Sequence, residues 1–151
     1  KLPRGADGLA ALTDQYRPPM PRVEFAEPVR DYASASIDIS DGLIADLGHI
    51  AETSGVRIEI DLELTPRSAA GQAWYDGRVD EQAALESLVT GGDDYEIAFT
   101  AKPADEAALR REAERRRLRL TRIGRVMEGQ GVRALFAGQP VQIRKPGFSH
   151  G

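Results

Sequence analysis

The sequence predicts an α+β domain, a mixed sheet of about five or six strands layered with helices. Three observations predict it. Stretches with a period of two alternate with stretches of helical period, in the order α, β, α, β, α, α, β, α, β, β, β. The chain has 151 residues, the usual size of one domain. Its hydrophobic fraction of 41% is enough for a real core. Residues 1–24 read as a linker and the end of a preceding helix, and residues 25–151 as the domain itself.

Composition excludes several function classes. Acidic residues number 24 against 20 basic ones, a formal net charge of −4. That argues against nucleic acid or an anionic membrane as the main partner. No apolar run approaches the ~20 residues of a membrane span. Cysteine is absent, which removes disulfides, zinc-thiolate sites and cysteine nucleophiles. The two histidines, His49 and His150, rule out a histidine-rich metal site. With no signal-peptide pattern at the start, a cytoplasmic location is the default expectation.

The first residues are weakly patterned. Leu2, Leu9 and Leu12 suit the last turns of a helix, and Arg17-Pro18-Pro19-Met20-Pro21-Arg22 forces an extended link. Such an opening suggests a piece of a longer protein. Phe25 to Arg30 starts a short helix.

The stretch around which the chain is organised follows. Ala35, Ile37 and Ile39 alternate with Ser36, Asp38 and Ser40, the period of a strand. Leu43, Ile44, Leu47, Ile50 and Ala51 form one helical stripe. Between them, Asp38-Ile39-Ser40-Asp41-Gly42 makes a sharp turn. Ser40 or Asp41 is expected to cap the helix. Asp38 and Ser40 share a strand face, with Asp41 at the corner. Oxygen ligands gathered at a helix N-terminus suit hard cations, which in turn bring phosphates. The plain alternative is a Ser-Asp-Gly turn that only punctuates the chain. Asp38 weighs against that alternative, because a carboxylate at the end of an apolar strand needs a partner.

Gly55 ends the helix at its C′ position. Val56 to Leu62 alternates and reads as a half-buried strand. Residues 69–80 read as a loop with a short helix, in which Trp74 and Tyr75 are satellite-core residues. Asp80 to Val89 reads as a helix with Ala84, Leu85 and Leu88 inward. A second acidic turn, Gly91-Gly92-Asp93-Asp94-Tyr95-Glu96, leads into the strand from Ile97 to Thr100. Its two glycines permit close approach of backbone to a ligand. On its own it also fits a solvated loop; beside the first turn it points to a shared cation or substrate site.

Pro103 opens the next helix, which carries Ala108, Leu109, Ala113 and Leu118. The arginine-rich run 110–119 has glutamates interleaved and no aromatics for base stacking, so it reads as a solvated helix face. His49 lies off the apolar stripe and reads as a surface residue or one that supports a ligand. Leu120 to Val126 reads as a strand, and Val132–Phe136 with Val141–Ile143 as a hairpin around residues 137–140. Phe148, in a Pro-Gly-Phe tail, either packs on the core or covers a ligand ring. There is no Gly-x-Ser-x-Gly and no Walker A pattern.

Together these motifs carry a resemblance. Asp38-Ile39-Ser40-Asp41-Gly42-Leu43, then Asp46-Leu47-Gly48-His49-Ile50 and Gly91-Gly92-Asp93-Asp94-Tyr95-Glu96, closely resemble the thiamine-monophosphate kinase family. The Arg17–Arg22 link, Ile123-Gly124-Arg125-Val126 and Gly147-Phe148-Ser149-His150 match in the same order. The resemblance covers only the C-terminal half of that family's enzymes. These belong with aminoimidazole ribonucleotide synthetase, selenophosphate synthetase and hydrogenase maturation proteins, whose C-terminal domain is an α+β layer structure.

The resemblance implies phosphoryl transfer from ATP to thiamine monophosphate, giving thiamine diphosphate, with Mg²⁺. It implies that Asp38 and Asp41 hold Mg²⁺ and serve the chemistry, and that Ser40 contacts ATP. Asp93, where the family often has glutamate, is implied to bind the thiamine moiety, with Phe148 packed against it. Asp94 and Glu96 are motif members at the same substrate end. The family's N-terminal domain carries further Mg²⁺ aspartates and much of the nucleotide site, and is also the main dimer contact. Without it this chain is expected to be inactive. Two alternatives stand beside this reading: a sister enzyme acting on another phosphate acceptor, and a non-catalytic module that binds a nucleotide or a partner chain.

Overall fold

The computed structural model describes residues 23–91 and 96–143. A 3₁₀ turn, Val23–Phe25, leads into α1 (Ala26–Tyr32) and then β1 (Ala33–Asp38). The chain continues through α2 (Leu43–Ser54), β2 (Arg57–Asp61), α3 (Ala69–Asp76) and α4 (Glu81–Val89). It closes with β3 (Ile97–Ala101), α5 (Glu106–Arg115), β4 (Gly124–Met127), β5 (Gly131–Phe136) and β6 (Gln139–Val141). Class and element order match the sequence reading.

The six described strands divide into two sheets. β1 pairs antiparallel with β3, with Ile37 opposite Ala98 and Asp38 opposite Ile97. The other sheet runs β4-β2-β5-β6. It is mixed: β2 and β5 are parallel, and the two outer pairs are antiparallel.

The main core lies between α2 and the larger sheet. Ile44, Leu47, Ile50 and Ala51 pack with Ile58, Ile60, Leu62, Leu85, Val89 and Ala134. Ile60, Leu62 and Leu85 are the largest side chains with essentially no exposure. Burying a side chain of this kind stabilises the fold by about 1.5–3 kcal/mol. A smaller cluster of Phe25, Leu109 and Ala113 joins α5 to the β1–β3 pair through Phe99. The charged side of α5 is laced with ion pairs: Arg110 and Arg122 reach Glu106, and Arg115 and Arg116 reach Glu112.

Several local expectations are corrected. The strand expected from Leu120 begins only at Gly124, because the preceding residues run irregularly and only the Ile123 carbonyl reaches β2, accepting the Asp61 N–H at 2.8 Å. At Gly124 a Cβ would stand 1.9 Å from the Glu59 carbonyl oxygen, so the strands approach closely where no side chain intervenes. The hairpin loop is two residues, Ala137-Gly138, both with positive φ, and Gln139 and Pro140 belong to β6. Helix α5 ends before Leu118, with Arg117 at φ 55°. Val89, not Leu88, completes the inward face of α4. Trp74 lies on the surface with the Arg78 guanidinium 4.1 Å from its ring, while Tyr75 packs against the core.

Strand β2 is buried on both faces at its centre rather than half-buried. Its outward Glu59 is 5% exposed, covered by the arginines of its neighbours. Arg125 on β4 donates twice to Glu59 Oε2 (3.0 and 2.8 Å), and Arg133 on β5 donates to Oε1 at 3.3 Å. A buried carboxylate is tolerated there because both oxygens are paired.

Candidate functional site

The turn between β1 and α2 is built by four contacts. Along β1 the inward residues are small or apolar and the outward ones polar, which carries Asp38 to the exposed side at the strand's end. Ile39 is buried and anchors the turn from below. Ser40 is exposed, and Asp41 is half-buried.

The helix cap differs from the expectation. The N-cap residue is Gly42, with no side-chain cap bond. Neither Ser40 nor Asp41 fills that role. Instead Asp46, inside the first turns of α2, reaches back toward the N-terminus. Its Oδ2 accepts the backbone N–H of Ser40 at 2.9 Å and of Asp41 at 3.1 Å. The arrangement resembles the glutamate half of a capping box, shifted along the helix. Asp46 is only 2% exposed. Sequence reading did not assign it a role. The available signal was its position three residues after Leu43 and four before Ile50, a carboxylate on the apolar stripe.

Gly42 closes the turn. Its φ is +111°, and a Cβ there would stand 2.9 Å from the Thr90 carbonyl oxygen and 3.1 Å from that of Gly91. The end of α4 therefore lies directly on the first turn. On the other side, the Ile39 N–H donates to the Glu96 carbonyl at 2.8 Å. Gly91 and Glu96 flank the second acidic motif, so both of its ends rest against the Asp38–Gly42 turn. Asp93, Asp94 and Phe148 lie outside the described residues, whereas Glu96 is exposed.

Asp41, Asp46 and His49 each bring one ligand atom to within 4.8 Å of the others. Asp38 is not part of that group. His49 is exposed, on the same helix as Asp46. The turn's own side chains, Asp38, Ser40 and Asp41, offer carboxylate and hydroxyl oxygens, the chemistry of a hard cation such as Mg²⁺, and the convergent group adds the imidazole of His49. A cavity of about 400 Å³ lined by Arg57, Arg133 and Val141 lies at the β5–β6 edge and includes none of these residues. No helix among the described residues is long and apolar enough to cross a membrane.

Comparison with known proteins bears on this site. The thiamine-monophosphate kinase of Caulobacter vibrioides is 41% identical over 146 residues, which are 97% of this chain and 41% of that protein. The crystal structure of thiamine-monophosphate kinase from Stenotrophomonas maltophilia K279a superposes with a TM-score of 0.75 at 38% identity, covering 93% of this chain and 42% of that one. A structure of AaThiL complexed with AMPPCP and TMP gives a TM-score of 0.72 at 35% identity, covering 100% of this chain and 44% of that one. The chain spans about two-fifths of the length of these relatives. The family model for AIR synthase related protein, C-terminal domain, matches residues 7–136, a span that takes in both acidic turns and the β1–β3 pair that holds them together. With sequence match, fold and the joined turns in agreement, the chain belongs to the AIR synthase related protein family, as its C-terminal domain.

Proposed function

We propose that this chain is the C-terminal part of an ATP-dependent kinase that transfers the γ-phosphoryl group of ATP to thiamine monophosphate, giving thiamine diphosphate. One observation carries the reading: the first turn faces outward with oxygens. A bare helix N-terminus binds phosphate through its free N–H groups. Here the N–H groups just ahead of the helix, those of Ser40 and Asp41, are taken by Asp46, and exposed Asp38 and Ser40 with half-buried Asp41 are the side chains the turn offers. Two carboxylates repel phosphate unless a cation lies between, so the turn suits metal-bound phosphate rather than phosphate alone.

Asp38 and Asp41 would hold Mg²⁺, and their oxygen donors fit it. When bound, Mg²⁺ supplies neutralisation of charge on the phosphates. Ser40 presents its hydroxyl to ATP. Asp93 binds the thiamine moiety and Phe148 packs on it, with Asp94 and Glu96 completing the second turn at that end. The Gly42–Thr90 and Ile39–Glu96 contacts keep the two turns adjacent, so nucleotide and acceptor are held against one another. Orientation of this kind is the main contribution a protein makes to phosphoryl transfer.

The reading places the rest of the phosphate cradle on an N-terminal domain, as the length of the relatives suggests. The test compares turnover of thiamine monophosphate by these 151 residues and by the same chain joined to that domain. We expect thiamine diphosphate only from the longer chain. Turnover by the 151 residues alone, free of other kinases, would overturn the division of labour.

A further inference from the structure

We propose that Asp46 is a positioning residue for the metal-phosphate turn, one that sets the direction of Asp38, Ser40 and Asp41 without itself binding the ligand. The inference rests on the reading of that turn given above. Asp46 is 2% exposed, whereas Asp38 and Ser40 are exposed and Asp41 half-buried. Its Oδ2 accepts two consecutive backbone N–H groups. Consecutive amides that converge on one oxygen fix the peptide planes on either side of Ser40. The Asp41 side chain then lies along α2, with a carboxylate oxygen within 4.8 Å of a ligand atom of Asp46 and of His49, while Asp38 and Ser40 stay exposed. Gly42 offers no side-chain cap, so beside its carbonyl, which accepts the Asp46 N–H at 3.0 Å, these two bonds tie the turn to the helix. A carboxylate suits the task better than a neutral acceptor, because bonds from amides to a charged oxygen are stronger and the first turn of a helix favours negative charge. A hydrophobic residue would suit the stripe between Leu43 and Ile50 but would leave both amides without a partner. Asp46 also brings a ligand atom within 4.8 Å of Asp41 and His49, but its 2% exposure and the two amide bonds to Oδ2 favour supporting the turn over binding the ion.

The test uses the complete enzyme and three variants: Asp46→Ala, Asp46→Asn and Asp41→Asn. Amide hydrogen exchange is read in metal-free protein, and Mn²⁺ affinity is read by electron paramagnetic resonance. In Asp46→Ala we expect exchange at the Ser40 and Asp41 amides to rise at least about tenfold, and Mn²⁺ affinity to fall about 10- to 100-fold, as for groups that orient metal ligands. Asp46→Asn keeps an acceptor oxygen without its charge, so exchange should rise less than in Asp46→Ala and Mn²⁺ affinity should stay within about threefold of wild type. It also serves where the alanine variant does not fold. If Asp46→Asn keeps the amides protected but loses Mn²⁺ as severely as Asp41→Asn, Asp46 is a ligand and the positioning role is overturned. Unchanged Mn²⁺ affinity in a folded Asp46→Ala, with Asp41→Asn impaired, likewise overturns it. Unchanged affinity in Asp41→Asn instead removes the metal reading of the turn, a separate failure.

Discussion

The backbone N–H of Ile39 donates to the carbonyl of Glu96 at 2.8 Å. That bond extends the β1–β3 ladder by one step, past the Asp38–Ile97 pair. The ladder is therefore what brings the two acidic turns together, and Gly42 against Thr90 and Gly91 fastens the other side. Proximity of the two turns is thus set by backbone, which exchange of one polar side chain for another in the turns leaves largely intact.

Gly42 offers the sharpest local check. Gly42→Ala places a Cβ at φ +111° and 2.9 Å from the Thr90 carbonyl oxygen. We expect a loss of about 1–3 kcal/mol in urea unfolding. Gly48, inside α2, has nothing within 4 Å of a built Cβ. Gly48→Ala should stabilise by about 0.5–1 kcal/mol through helix propensity. Equal effects at the two glycines would mean that the close approach at Thr90 does not constrain the turn.

Glu59 gives a pH dependence. The Arg125 hydrogen bonds, followed by attraction to Arg125 and Arg133, hold its carboxyl below the ordinary 4.5, although burial pushes the other way. A carboxyl whose value is lower folded than unfolded stabilises the fold above the unfolded value. That contribution is lost as pH falls below 4.5 and through the folded value. Glu59→Gln should therefore be less stable than wild type at pH 7, with the difference closing as the medium is acidified. Glu106 and Glu112 are lowered in the same sense by Arg110 and Arg116, so wild type as a whole should weaken on acidification. A Glu59→Gln difference that persists unchanged to low pH would point to packing rather than charge.

Much of this was legible in the sequence because local patterns and tertiary demands agreed. Alternation ending in Ile39, the stripe from Leu43 to Ala51 and Gly55 at the helix end each say the same thing as the final fold. What was not legible depends on partners distant in sequence. Glu59 looked solvent-facing by alternation, and its pairing with Arg125 and Arg133 on neighbouring strands is what lets it be buried. The late start of β4 follows from the irregular run before Gly124, and the close approach of Gly124 to the Glu59 carbonyl is likewise something no local pattern encodes. Ser40 and Asp41 are good capping residues by type, yet the N-cap position falls to Gly42, and Asp46 accepts the backbone N–H groups of Ser40 and Asp41 ahead of it.

The substrate end is tested through Phe148. If its ring packs on the thiamine heterocycle, Phe148→Ala removes a contact of about 1 kcal/mol beyond burial and should raise KM for thiamine monophosphate several-fold in the complete enzyme. KM for ATP and thermal stability should hardly change. A melting temperature lowered as for a core truncation of about 3–5 kcal/mol, with KM unmoved, would make Phe148 a packing residue instead.

The central claim is that the Asp38–Asp41 turn handles metal-bound phosphate, and Asp41→Asn in the complete enzyme addresses it most directly. Losing one carboxylate removes charge that positions the metal at the transferring phosphoryl group, so kcat should fall by about 10²-fold or more with the fold intact by circular dichroism. Near-wild-type turnover of thiamine monophosphate at saturating Mg²⁺ would contradict the claim and leave the turn as a structural corner between β1 and α2.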